Sequence, residues 1–155
     1  ITDPGNAPLL LTISTYNHVT GILYIHSSRG FTATGQIKPD LAAPGVNVQG
    51  PGILPGTSRL PRQPDSAVRE AVPPSSSISL TRKTGSSRAA AITAGAVACL
   101  FSWGFTQGND TTLTSISVKS ILIRGAERKE AFRYPNSQWG YGTLNLYRAF
   151  LLMRE

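Results

Sequence analysis

Sulfur and acid are both scarce in this 155-residue chain, which has one Cys, one Met and eight Asp or Glu residues. With Cys99 alone no disulfide forms within the chain, so any core must hold by packing. Cys99 lies in an Ala-rich stretch and is expected to be a buried structural thiol. The only imidazoles are His18 and His26, and no cluster of potential ligands warrants a metal or any other cofactor. The longest apolar stretch, Ala89 to Phe105, is interrupted by Thr93, Gly95, Ser102 and Gly104. It is expected to fall short of a membrane span and to form a buried helix, so no membrane partner is expected. Acid scarcity leaves fifteen Lys and Arg in excess, a net charge of +7, yet they never run longer than Arg82–Lys83 or Arg128–Lys129. Scattered cations without a recognition motif argue against a nucleic-acid partner. The chain begins at Ile1 rather than Met, with no basic leader before its first apolar segment, and it reads as a fragment of a longer protein. Nothing in the composition assigns a compartment.

What is present reads as one domain over residues 1–155, with strands first and helices later. Leu9, Leu11 and Ile13 alternate with Leu10, Thr12 and Ser14, which predicts a strand buried mainly on one face. Asn17 to Gly21 forms a turn before a second short strand, Ile22 to Ile25. Between Pro51 and Ser77 the composition shifts, with six of the eleven prolines and few bulky apolar residues. That segment is expected to be an exposed, mobile insertion loop. A helix is predicted from about Ser87 to Trp103. A second, Thr112 to Arg124, has N-caps on offer from Asp110 to Thr112, an apolar face of Leu113, Ile116, Val118, Ile121 and Leu122, and Gly125 as its stop. The tail, Thr143 to Met153, gives a third helix with Leu146, Phe150 and Met153 turned inward.

Chemistry concentrates in TGSSRAAAITAGAVA, Thr84 to Ala98. A Gly-x-Ser turn that runs straight into a small-residue helix places Ser87 at a helix N-terminus, where unpaired N–H groups and the dipole favour negative charge. An oxyanion formed by attack of the Ser87 oxygen on a carbonyl would be stabilised there. Taken alone the pattern is equally that of a Ser acting as an N-cap. The alanines and Gly95 are expected to let the helix pack closely against its neighbours.

The surrounding residues resemble the subtilisin-like serine proteases. Gly85, Ser86, Ser87, Arg88 and Ala89 are similar, in order, to the subtilase nucleophile motif Gly-Thr-Ser-Met-Ala, with Gly95 at the later Gly. SSRGFTATGQIKPDLAAPGVNV is similar to the family's Ser-Ser-x-Gly, Lys-Pro-Asp and Ala-Pro-Gly stretch, and DPGNAPLLLTISTYN to its Pro-Gly turn and core strand. WGYGTLNLYRAF resembles the closing Gly-x-Gly turn, Asn and helix. The phrasing is closest to clostridial (Csp-type) subtilases.

The resemblance implies the C-terminal part of a parallel-sheet, three-layer α/β domain that hydrolyses peptide bonds through an acyl-enzyme on Ser87. It implies that the catalytic Asp and His and the oxyanion Asn precede Ile1, that neither His18 nor His26 replaces them, and that the chain alone is inactive. Its partners would be a protein or peptide substrate and the N-terminal half of the same domain. Ser86 stands at the family's Thr and keeps a hydroxyl. Thr2 and Gly5 match the base of the primary specificity pocket, where Asp3–Pro4 falls at a site of cis peptides. Asp40 is expected to hold a turn. Arg88 replaces Met beside the nucleophile, and Ala91 and Ile92 replace a frequent Pro-His. The alternative function is a catalytically silent, subtilase-like binding protein.

Overall fold

The computed structural model describes residues 1, 3–52 and 80–154. Thr2, and the expected insertion beyond Gly52, lie outside the described residues. The elements are β1 (Ile13–Tyr16), β2 (Leu41–Pro44), β3 (Val48–Pro51), β4 (Leu80–Lys83), α1 (Ser86–Phe101), α2 (Ser115–Gly125) and α3 (Leu146–Met153). A π-helical turn, Ser102–Thr106, continues α1. The chain is α/β: β1 and β2 pair in parallel, Ile13 opposite Leu41, and β3 and β4 form an antiparallel pair. Thr143 extends the parallel pair with a bridge to Ala42, and Leu23 borders its other side with a bridge to Tyr16. Leu41 of β2, Leu100 of α1, Val118 and Leu122 of α2 and Ala149 of α3 meet in one buried core.

The first strand starts later than the Leu9–Ile13 alternation predicts, and its buried residues are Ser14 and Thr15. Leu9 and Leu10 are instead exposed. The cause is capture of the preceding backbone by side chains: Pro8 and Leu10 carbonyls accept from Lys119 Nζ, and Leu10 also accepts from Lys38 Nζ. Ile22 to Ile25 does not become a strand beyond the Leu23 bridge, and Ile22 and Ile25 face solvent.

α1 buries one stripe, Ala89, Thr93, Ala96 and Leu100, against β1 and β2. With its π turn the helix runs 21 residues, Ser86–Thr106, long and apolar enough to cross a membrane by length and composition alone. The sequence breaks had suggested a shorter span; Thr93, Ser102 and Gly104 are absorbed without ending the helix. Burial is confined to the stripe because the described elements cover only that side. Cys99, about 100° round from Leu100, is exposed rather than buried. Gly95 is also exposed and makes no close approach among the described residues.

α2 starts three residues later than expected. Asp110 accepts from Thr112 in the preceding turn, which holds its carboxyl below the usual range. The cap is Thr114, in a reciprocal capping box with Ser117. This start rotates Ile116 outward, while Val118, Leu122 and Gly125 form the buried stripe. Gly125 serves as a crossing point more than a stop: a Cβ there would lie 2.9 Å from the Ala149 nitrogen of α3. Gly125→Ala is therefore expected to destabilise by about 1–3 kcal/mol through overpacking. Gly95→Ala should instead stabilise by up to about 1 kcal/mol through helix propensity. Thermal melts of the two variants should move in opposite directions, and a shared sign would contradict the crossing. α3 begins at Leu146 because the Asn145 side chain accepts from Arg148 N at 3.0 Å, which gives the WGYGTLN motif its structural sense as a helix cap.

Candidate active site

Gly45 of the Ala-Pro-Gly motif and Gly85 of the Gly-x-Ser motif, distant in the chain, meet in space. Gly85 N donates to Gly45 O at 2.9 Å, and Gly45 N donates to Tyr16 O at 3.1 Å, so the turn before α1 hangs from the end of the parallel pair. Asn47 N adds a 3.0 Å bond to Thr84 Oγ1. Glycine is required at Gly45, where a Cβ would stand 2.5 Å from Thr15 Cγ2 and 2.8 Å from Gly85 O. Gly85 itself is extended, with φ 163°, and has open space where a Cβ would be. The tight approach that sets this turn is thus enforced from the Gly45 side.

Ser86 and Ser87 occupy the first turn of α1, and both are exposed. The cap position belongs to Gly85, and no side-chain cap hydrogen bond forms. The capping role that would explain Ser87 without chemistry is not the one it plays. Among the described residues its hydroxyl makes no hydrogen bond. Arg88 N donates to Gly85 O at 3.0 Å, leaving the Ser86 and Ser87 amides without intrahelical acceptors. An anion bound there would meet those amides and the positive end of the helix dipole.

Arg88 is electrostatically misplaced for helix stability. A cation in the first turn opposes the dipole and costs about 0.3–1 kcal/mol. Its guanidinium lies over β3, with Nη1 2.8 Å from where a Cβ on Gly50 would be. The side chain is half-buried there.

Gly5, the described pocket candidate, precedes β1, and its carbonyl accepts from Thr12 Oγ1 at 2.6 Å. The Asp3–Pro4 peptide beside it is cis. His18 sits exposed in the turn after β1, and His26 is exposed and edge-on to Tyr24 at 5.2 Å. Among the described residues no three His, Cys, Asp or Glu side chains group as metal ligands.

Sequence reasoning missed the role of Asp40. It does more than hold a turn: its carboxylate is buried and accepts from Lys38 Nζ at 2.8 Å, Lys119 Nζ at 2.8 Å and Thr12 N at 2.7 Å. Burial lowers the Lys38 pKa from 10.5, and the hydrogen bond and charge of Asp40 oppose that shift. The cluster ties the start of β2 to the segment before β1 and to α2. Lys38 and Asp40, two residues apart in an extended segment, share a face, which is the one signal that could have found the pair.

The Subtilase family model matches residues 1–142. Among solved structures, the CspB protease of Clostridium perfringens superimposes with TM-score 0.73 at 31% identity, covering 96% of this chain and 28% of that one. The patellamide maturation protease PatA gives TM-score 0.66 at 21% identity over 97% of this chain and 45% of its own. Fervidolysin from Fervidobacterium pennivorans, a keratinolytic enzyme related to subtilisin, gives 0.66 at 20% identity over 96% and 20%. The latter two likenesses speak for the fold alone. No curated protein sequence matches the chain. The chain spans less than half the length of each of these structures. With the family match running from the Pro-Gly turn to the closing Gly-x-Gly, and CspB alike in both fold and sequence, this chain belongs to the Subtilase family.

Proposed function

We propose that this chain is the nucleophile-bearing, C-terminal part of a serine endopeptidase domain, and that Ser87 forms the acyl-enzyme. The observation that carries the reading is an exposed Ser87 hydroxyl in the first turn of α1, not spent on capping. In the reaction, Ser87 Oγ attacks the scissile carbonyl and its proton passes to an imidazole, which then delivers it to the departing amine. Water cleaves the resulting ester. The Ser86 hydroxyl and the first-turn amides would supply donors to the oxyanion. Thr2 and Gly5 would form the base of the pocket that receives the substrate side chain.

On this reading the imidazole, the Asp that orients it and the oxyanion Asn are supplied by polypeptide before Ile1; His18, in an exposed turn, and His26, edge-on to Tyr24, are read as structural. The substrate is a protein or peptide, and the N-terminal half of the domain is the obligatory partner. Arg88, a cation beside the nucleophile, favours the one competing reading, a silent binding protein. A fluorophosphonate probe separates them. It should label the full-length parent at Ser87 and leave the 155-residue chain unlabelled, since without an imidazole the hydroxyl keeps its proton. Labelling at another serine would overturn Ser87 as the nucleophile, and no labelling in a parent that holds an Asp and a His upstream would establish the silent reading.

A further inference from the structure

A groove of ≈ 620 Å³ lies between the turn after β1, the β3–β4 pair and α1, lined by Asn17, His18, Asn47, Gln49, Arg82 and Ile92 among others. It shares its framework with the Ser87 turn. Ile92 follows Ser87 by five residues on α1, about 7.5 Å along the axis. Arg82 lies in β4, whose last residue, Lys83, precedes the turn, and Asn47 N is bonded to Thr84 Oγ1. Arg88 and Ile92, four residues apart, lie on one face of α1, and the Arg88 guanidinium reaches Gly50 of β3, the neighbour in sequence of the lining residue Gln49. Among the described residues, charge here has one sign. The turn Asn17–Thr20, the stretch Pro44–Gly52, β4 and α1 as far as Ile92 carry Arg82, Lys83 and Arg88, and no Asp or Glu. Elsewhere a buried carboxylate neutralises Lys38 and Lys119, but these three cations have no salt bridge among the described residues.

We propose that this groove docks an acidic segment of the polypeptide on which the protein acts. The inference rests on the reading of the chain as part of a peptidase. Its apolar floor, Val48 and Ile92, would take aliphatic portions of the peptide, while Arg82 and Arg88 meet its carboxylates and the amides of Asn17, Asn47 and Gln49 meet its backbone. Arg88, which weakens its own helix, gains a purpose as the link between groove and nucleophile.

Binding tests this without hydrolysis. A short fluorescein-labelled Glu-rich peptide and its Glu-to-Gln counterpart are titrated with the full-length parent carrying Ser87→Ala at low ionic strength, followed by fluorescence anisotropy. The Glu peptide should bind and the Gln peptide should not. The double variant Arg82→Glu/Arg88→Glu should weaken the Glu peptide by about tenfold or more. Gln49→Glu, at an exposed groove position remote from the turn, should weaken it in the same direction. Arg124→Glu/Arg148→Glu, an equal change of net charge at the α2–α3 crossing, should leave it unchanged. Equal loss in both double variants would show attraction by total charge and overturn the groove, as would indifference to Glu over Gln. Loss of peptide preference in a parent that still labels at Ser87 would sink this inference alone; failure of labelling with the preference intact would sink the peptidase reading alone.

Discussion

Ser87→Ala in the full-length parent should abolish nearly all peptide hydrolysis. The scale expected, roughly 10⁴–10⁶-fold in kcat, is that of subtilisin itself, the namesake of the family, carried over to this chain. The loss is large because nucleophile and base act as one unit, and removal of either leaves only binding and oxyanion stabilisation. KM should change little, since the hydroxyl contributes to bond-making more than to substrate binding. Neither should stability, because the Ser87 side chain is exposed and caps nothing. The comparison to make is kcat and KM of parent and variant on a peptide library, with thermal melts alongside. Residual activity above about one part in a thousand would exclude Ser87 as the acyl-forming atom. A fall in melting temperature equal to that of a core variant would mean that the serine is structural after all.

Asp40→Asn is expected to give the largest loss of stability in the chain. The carboxylate neutralises Lys38, whose side chain is 2% exposed, and Lys119, at 18%. The amide is nearly isosteric but uncharged, so Lys38 would stay buried with only the Leu10 carbonyl as a strong acceptor. Breaking a buried pair from one side costs about 3–5 kcal/mol. For a domain of this size that lowers the melting temperature by on the order of 10 °C. The pH dependence carries a sign. Burial holds the Lys38 pKa below 10.5, and removing Asp40 deletes the hydrogen bond and the charge that raise it. In the variant the folded pKa therefore falls further below the unfolded one. Between those two values the unfolded chain binds more protons, so stability rises with pH. The deficit of Asp40→Asn against the unaltered chain should accordingly narrow as pH rises from neutral toward 10.5. Denaturant melts at several pH values would check it. A deficit below about 1 kcal/mol, the scale of an exposed ion pair, would show that the cluster is solvated and contributes little.

Local interactions made much of this chain legible from its sequence. The small-residue run after Gly85, the α2 stripe of Val118 and Leu122 and the Asn145 cap depend on neighbours within a turn or two, so α1, α2 and α3 lie within a few residues of where the pattern puts them. The family is legible for the same reason, because its motifs are short strings in a fixed order. Burial was decided elsewhere. Whether Cys99 or Leu100 is covered depends on which side of α1 meets β1 and β2, and composition is silent on that. The first strand begins at Ile13 rather than Leu9 because Lys119 reaches back across 111 positions to the Pro8 carbonyl, a bond that no window of sequence contains. Asp40 acquired its partners, Ser87 its exposure and Arg88 its place over Gly50 in the same way. A side chain's neighbours in sequence set its backbone, but its electrostatics and exposure come from whatever distant segment packs against it. In this molecule that distinction separates the serine, which the sequence located, from the cationic groove, which only the packing of β3, β4 and α1 assembled.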